Sequence, residues 1–99
     1  MRDLVFEWDK RKNRANVRKH GVDFQEARTV FFDDDALLRP DEPAEPGVED
    51  QYIILGLSWH MRVLAVCHCY RRGEEVIRII SARRASRTEL RQYENRRDR

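Results

Sequence analysis

Residues 52–82 read YIILGLSWHMRVLAVCHCYRRGEEVIRIISA, and this segment does most to determine the fold of the chain. It contains three apolar runs, at residues 52–57, 62–70 and 76–82, each of a length typical of a strand. The polar links between the runs are short, and short links join consecutive strands most simply as antiparallel hairpins. The segment therefore predicts three adjacent antiparallel strands.

The sequence upstream of these strands predicts a further short strand and two helices. The run LVFEW at residues 4–8 is typical of a strand. The polar stretch 10–20 predicts a helix with Asp9 as its N-cap, and this helix is predicted to end at Gly21. Asp23 and Glu26 form a capping-box-like pair at the start of a second helix. The core face of that helix is predicted at Phe24, Ala27, Val30 and Phe31.

The remaining sequence predicts a loop and one more helix. Residues 40–50, PDEPAEPGVED, hold all three prolines and predict a loop. Ser86 and Glu89 form a complete capping box, which predicts a final helix from about Arg87. The predicted order is β-α-α-(β)-β-β-β-α, an α+β fold with N-terminal and C-terminal helices packed on an antiparallel sheet. The length predicts a single domain over residues 1–99.

The charged residues are unevenly distributed along the chain. The net charge is only +2, but residues 1–22 carry +4, residues 23–50 carry −8 and residues 51–99 carry +6. Arginine supplies 17 of the 20 cations, and its planar guanidinium group binds phosphate in a bidentate manner. Basic ends around an acidic middle favour a polyanionic ligand at one surface and a cationic partner at another.

The sequence also argues against several classes of protein. No run of 18 apolar residues is present, which excludes a transmembrane helix, and acidic residues near the N-terminus argue against a signal peptide. We therefore expect a cytoplasmic protein with no membrane partner. The run Cys67-His68-Cys69 lacks the second cysteine pair typical of a zinc site, which favours small buried residues. We expect no metal and no cofactor.

The last predicted hairpin brings two candidate catalytic residues together. If its turn spans residues 71–75, Tyr70 faces Val76 and the numbers of each facing pair sum to 146. His68 then lies opposite Arg78 on the same face, where a neutral imidazole could act as a base beside a phosphate-binding guanidinium group. The alternative is an ordinary sheet histidine and a surface cation.

A second candidate site lies at the start of the final helix. Arg83 and Arg84 come directly before the predicted cap at Ser86, where free N–H groups and the helix dipole attract an anion. They predict a phosphate site, with solvated surface cations as the alternative. Tyr93 follows Leu90 by three residues and is either a core residue or a ring on which a base stacks.

Three motifs taken together resemble the BrnT family of type II toxins. They are FEWD at residues 6–9, RKHGVDF at 18–24 and RIISARRA at 78–85, the last followed by Glu89 and Tyr93. The resemblance extends over nearly the whole chain apart from residues 40–50. It implies a bacterial ribonuclease toxin with a RelE-like fold that degrades RNA, arrests translation and is silenced by a cognate antitoxin.

The resemblance also implies roles for particular residues. It supports Arg78 and Arg83 as site residues more than it fixes what each does. From the chemistry of metal-independent cleavage by the 2′-hydroxyl of the RNA, we assign the phosphate to these two arginines and the role of base or acid to His68. The residues assigned to holding the RNA strand are Lys12, Arg62, Arg84 and Tyr93.

The expected partners follow from the same resemblance. They are RNA and a BrnA-like, DNA-binding antitoxin in a hetero-oligomer, with operator DNA bound only through the antitoxin. The acidic stretch 33–50 would either meet a basic element of a partner or repel RNA from that side. The alternative function is a non-catalytic nucleic-acid-binding or corepressor module that uses the same basic surface.

Overall fold

The structure is a computed structural model that describes residues 3–41 and 49–98. Within these residues, the elements in chain order are β1 (Val5–Glu7), α1 (Lys10–His20), α2 (Phe24–Ala27), a 3₁₀ segment (Arg28–Phe32), β2 (Leu37–Asp41), β3 (Gln51–Leu57), β4 (Val63–Arg71), β5 (Val76–Arg84) and α3 (Arg87–Arg97). The predicted α+β class is confirmed. The strand that the predicted order places between the second helix and the hairpins is β2.

The five strands form one mixed sheet in the order β1-β5-β4-β3-β2. Strands β2 to β5 are antiparallel to their neighbours, as predicted, whereas β1 runs parallel to β5. The expectation of an antiparallel sheet is therefore wrong at this edge. Hairpin reasoning does not apply there, because most of the chain lies between β1 and β5.

The β4–β5 hairpin is tighter than the predicted turn over residues 71–75. Arg71 pairs with Val76, in the place that the prediction gives to Tyr70. Three consecutive turn residues have positive φ angles, namely Arg72 at 54°, Gly73 at 62° and Glu74 at 75°. Left-handed residues are typical of tight hairpin turns, and here they leave Arg71 within β4.

A β-bulge in β5 changes the register a second time. His68 pairs with Ile79 and Cys67 pairs with Ser81, so that Ile80 is an extra residue on β5. Facing residues of an antiparallel pair lie on the same side of a sheet. Beyond Ile80, each side chain of β5 therefore lies on the face opposite to the one that regular alternation from the start of the strand would give it.

The main core lies between one face of the sheet, here called the core face, and α1 and α2. Its buried members are Val22, Phe24, Ala27, Val30, Ile54, Leu64, Val66, Ile79 and Ala82. Phe31 of the predicted helical core face is half-buried and packs against this cluster. The other side of the sheet, here called the α3 face, packs against α3, where Glu89 meets Arg39 and Arg83.

The predicted helix caps form, with one exception. The Asp9 carboxylate accepts from the backbone N–H groups of Arg11 and Lys12 at 2.8 and 3.1 Å, and Ser86 forms its capping box. Asp23 caps α2, but Glu26 does not complete a box. Its carboxylate turns to Arg62 and Ser58 instead, and the helix tightens into the 3₁₀ segment after a single turn.

Asn16 fastens α1 to the edge of β5. Its side-chain amide donates to the carbonyl of Ala82 at 2.8 Å and to that of Val22 at 2.9 Å. Its Oδ1 accepts from the N–H of Ala82 at 3.1 Å. Because β1 pairs only with the first three residues of β5, this amide binds backbone groups that the short β1 does not reach.

Part of the predicted loop over residues 40–50 is strand, because Pro40 and Asp41 end β2, while residues 42–48 lie outside the described residues. Among the helices that the structure describes, none is long and apolar enough to span a membrane.

Candidate functional site

The bulge decides which side chains of β5 share a surface. Arg78 faces Cys69, Ser81 faces Cys67 and Arg83 faces Ala65, all on the α3 face. His68 faces Ile79 on the core face. The predicted pairing of His68 with Arg78 is therefore wrong, because the tight turn shifts the register by one residue. The structure brings Arg78 and Arg83 to one side of the sheet and places His68 on the other.

Arg83 belongs to a cluster of two arginines around one carboxylate. It binds Glu89 through both terminal nitrogens, at 2.6 and 3.1 Å, and Arg39 of β2 donates to the same carboxylate at 2.8 Å. The Glu89 side chain is buried, but the Arg39 and Arg83 side chains are 43% and 42% exposed. The cluster therefore presents one excess positive charge and two accessible guanidinium groups to solvent.

Glu89 is a permanent anion at neutral pH. The hydrogen bonds from Arg83 lower its pKa from 4.5 to about 2, against the opposing effect of burial, and the backbone N–H of Ser86 adds to the lowering. The sequence predicts an anion site at Arg83, Arg84 and the start of α3. Glu89 itself supplies an anion at this place, bound as a phosphate would be.

Arg78 belongs to a second charged cluster at the β1 edge of the α3 face. It donates to Glu7 at 2.7 Å, and Arg71 lies 3.7 Å from the same carboxylate oxygen. Arg71 also lies 3.6 Å from Glu49. The side chains of Arg78 and Glu7 are 30% and 37% exposed, so both reach solvent.

His68 is fully buried, as expected for the alternative given above, an ordinary histidine of the sheet. Its ring packs edge-on against Phe31 at 4.7 Å between centroids. Nδ1 lies 3.0 Å from the carbonyl oxygen of Val66, which can only accept, so Nδ1 carries the proton. Nε2 then accepts from the Tyr70 hydroxyl at 3.2 Å. Burial lowers the pKa of His68 below its usual 6.5, which favours this neutral form.

Two of the residues assigned to RNA binding are engaged inside the protein. Arg62 pairs with the buried carboxylate of Glu26 and also donates to the carbonyl of Gly21 at 3.2 Å. Burial by itself would raise the pKa of Glu26, but the hydrogen bonds from Arg62 and Ser58 lower it. Tyr93 is 2% exposed and donates to Asp33 at 2.6 Å. Its ring is a core ring, so the prediction of a stacking surface is wrong.

The other two residues assigned to RNA binding are exposed. Lys12 lies in the first turn of α1, whose cations are Lys10, Arg11, Lys12, Arg14, Arg18 and Lys19. Arg84 ends β5 and takes part in no ion pair within residues 3–41 and 49–98. Because it faces Leu64, its side chain lies on the core face, opposite to Arg83. The end of β5 therefore presents one arginine to each side of the sheet.

Two residues of the charged clusters on the α3 face, Arg39 and Glu7, are not among those predicted from the sequence. Arg39 directly precedes the predicted loop over residues 40–50, and Glu7 lies in the short predicted strand at the start of the chain. Neither position indicates a contact with the last hairpin or the final helix. Trp59 is 60% exposed in the β3–β4 turn, with the Arg28 guanidinium group 5.8 Å from its ring centroid.

The cysteines do not form a metal site with His68. Cys67 faces the α3 face, and burial raises the pKa of its thiol to about 11, which keeps it protonated. Across residues 3–41 and 49–98, no group of three or more His, Cys, Asp or Glu side chains is arranged to hold a metal ion.

Comparisons with known proteins agree with the fold. A family model described as "Ribonuclease toxin, BrnT, of type II toxin-antitoxin system" matches residues 8–89. The 1.1 Å crystal structure of the Brucella abortus ribonuclease toxin BrnT is similar to this structure with a TM-score of 0.65 and 25% sequence identity. The match covers 86% of this chain and 100% of that chain. No curated protein is similar enough in sequence to count as a match.

Proposed function

Because the chain belongs to the BrnT family, the ribonuclease toxins of type II toxin-antitoxin systems, we propose that it cleaves RNA on the α3 face of its sheet and thereby arrests translation. A type II system pairs its toxin with a cognate antitoxin protein. We further propose that this antitoxin forms a hetero-oligomer with the chain and supplies any contact with operator DNA.

The convergence of Arg39 and Arg83 on Glu89 is the observation that carries the proposed site. Both guanidinium groups are already oriented, so a phosphate that joins or replaces the carboxylate meets donors with little further loss of side-chain freedom. These donors would hold one phosphate of the strand, and Arg78 would stabilise the additional negative charge of the pentacoordinate phosphorus where cleavage occurs. Arg78 lies on the same face and extends the cationic surface toward β1.

Cleavage requires only groups that RNA and this face supply. The 2′-oxygen forms a bond to phosphorus while the bond from phosphorus to the 5′-oxygen breaks, which leaves a 2′,3′-cyclic phosphate and a 5′-hydroxyl. A base takes the 2′-hydroxyl proton, and the leaving 5′-oxygen gains one from a donor or from water. We assign the base to Glu7, whose carboxylate lies 2.7 Å from Arg78, so the phosphate that is cleaved would lie at Arg78 while Arg39 and Arg83 hold another phosphate of the same strand. His68 lies on the other side of the sheet and has no exposed surface.

The RNA strand would approach along the cations of α1 and the end of β5. Helix α1 contains six Lys or Arg residues and no acidic residue, and it packs against β5 through Asn16. Arg84 on the core face and Arg83 on the α3 face are consecutive, so a strand that crosses the end of β5 can contact both. Such contacts would bind phosphate without selecting a sequence.

The decisive experiment incubates RNA with the purified chain in the presence of EDTA. We expect fragments with 2′,3′-cyclic phosphate ends, a strong loss of cleavage with Glu7→Gln, and little loss with His68→Gln in folded protein. Intact RNA that is nevertheless bound would instead indicate the non-catalytic module. A larger loss of cleavage with His68→Gln than with Glu7→Gln would indicate that His68, and not Glu7, transfers the proton.

A further inference from the structure

A cleft lined with aromatic residues lies on the core face, away from Arg39, Arg78 and Arg83. Its volume is about 410 Å³, and its lining includes Phe31, Leu38, Tyr52, Tyr70, Glu74 and Glu75. The rings of Tyr52 and Tyr70 lie 5.3 Å apart, and Leu38 is 50% exposed. The cleft is therefore an accessible apolar surface on a part of the sheet that α1 and α2 leave uncovered.

His68 supports this cleft from below. Its Nε2 accepts the Tyr70 hydroxyl at 3.2 Å, and its ring centroid lies 6.2 Å from that of Tyr52. Because His68 is fully buried and held by the Val66 carbonyl, it fixes the orientation of Tyr70. The cleft is thus preorganised rather than a gap between mobile side chains.

The rim of the cleft is acidic. Glu74 and Glu75 line it, and an adjoining cavity of about 270 Å³ shares Tyr52, Tyr70 and Glu74 with it and adds Glu49 and Asp50. Only Glu49 of these four carboxylates has an ion-pair partner within the described part of the chain, namely Arg71. Exposed carboxylates beside tyrosine faces attract a cationic side chain through both charge and cation–π interaction. The same carboxylates repel RNA.

We propose that the cleft is a docking site for the cognate antitoxin, occupied by an apolar segment that carries a lysine or arginine. The apolar side chains cover Leu38 and the tyrosine rings, and the cation lies against Glu74 and Glu75. The identity of the partner rests on the proposed function. The position of the cleft separates antitoxin capture from the arginines that bind RNA, so the two surfaces are independently mutable.

The test titrates the purified chain with its cognate antitoxin by calorimetry. Leu38→Lys places a positive charge in the cleft without disturbing the core, and we expect it to weaken binding by about tenfold or more because it removes apolar contact and repels the cation of the occupant. Leu90→Lys, at a residue that is 37% exposed on α3, is the matched control and should leave the affinity within about twofold. The double variant Glu74→Lys/Glu75→Lys should slow association and reduce its dependence on salt, whereas Glu94→Lys on α3 should not.

Each outcome decides the proposal. Unchanged antitoxin affinity in both Leu38→Lys and the charge-reversed variant would overturn it, and so would a loss of RNA binding with antitoxin affinity retained. RNA cleavage is measured on the same preparations. A chain that binds antitoxin through the cleft but does not cleave RNA would refute the proposed function and support the docking site. A chain that cleaves RNA but whose cleft variants bind antitoxin normally would refute the docking site and support the proposed function.

Discussion

Arg78 and Arg83 lie on the same face of the sheet although five positions separate them along β5. In a regular strand an odd separation places two side chains on opposite faces. Ile80, the extra residue of the bulge, adds one position between Arg78 and Arg83, and both side chains therefore lie on the same face. The surface that we propose to bind phosphate is therefore a product of the bulge as well as of the arginines.

Replacing these arginines with alanine should reduce RNA cleavage and relieve growth arrest. Each substitution, Arg83→Ala or Arg78→Ala, removes charge-assisted hydrogen bonds to phosphate worth about 1.5–3 kcal/mol, or roughly ten- to a hundredfold in rate. Cleavage rates and thermal unfolding are measured together. Arg91→Ala, an exposed arginine of α3, serves as the control. Variants that stay folded and fully active would remove Arg78 and Arg83 from the mechanism.

Replacing Glu89 should affect stability in a manner that depends on pH. Its pKa is lowered to about 2 in the folded protein, so its ionised form stabilises the fold above the usual 4.5, and this contribution is lost as the pH falls from 4.5 toward about 2. We expect Glu89→Gln to lower the free energy of unfolding by on the order of 2–3 kcal/mol at neutral pH. Urea unfolding across that range checks this. A deficit that persists at the acidic end would contradict it, and Glu94→Gln on the exposed side of α3 should cost little.

Replacing His68 should change the pH dependence of stability rather than that of catalysis. Burial lowers its pKa below 6.5, so the unfolded chain binds a proton that the folded chain rejects, and stability falls as the pH drops below 6.5. In His68→Gln this loss should disappear. Unfolding free energies at about pH 5.5 and about pH 7.5 provide the measurement. If His68→Gln instead removes one limb of the pH–rate profile for cleavage, the histidine moves a proton after all.

Arg62 and Arg84 should behave in opposite ways, although the sequence assigns both to RNA. Arg62→Ala leaves the buried Glu26 carboxylate unpaired, which costs about 3–5 kcal/mol of stability. Arg84→Ala should leave stability within about 0.5 kcal/mol. It should weaken RNA binding and lower the slope of log affinity against log salt by about one. Melting curves and RNA titrations over a salt series compare the two. Equal melting temperatures for both variants would be inconsistent with the buried ion pair.

Local patterns in the sequence predict the elements well but not the register of the last hairpin. Asp9, Gly21 and the Ser86 capping box act within a few residues, and such signals place helix ends where the structure has them. The register depended on three left-handed turn residues and on Ile80. Arg72 and Glu74 are unusual in that conformation, and a bulge leaves no trace in apolar alternation.

The candidate site was predictable in composition more than in geometry. Arg78 and Arg83 could be selected because arginine binds phosphate, and the family resemblance agreed with that choice. Glu7, which pairs with Arg78, and Arg39, which shares the Glu89 carboxylate with Arg83, could not be predicted, because each is far from its arginine in sequence. The engagement of Arg62 by Glu26 and the burial of Tyr93 likewise depend on tertiary packing.

The attachment of Asn16 to Ala82 has a consequence for solubility. Beyond the reach of β1, the outer side of β5 would present bare backbone groups to any extended peptide, which is the usual starting point for strand addition and aggregation. The Asn16 amide imitates a neighbouring strand at this point by accepting from and donating to the same residue. Helix α1, which we propose to guide RNA, thereby also covers an otherwise exposed edge of the sheet. Loss of Asn16 should lead to precipitation at high concentration, even where the isolated chain still folds.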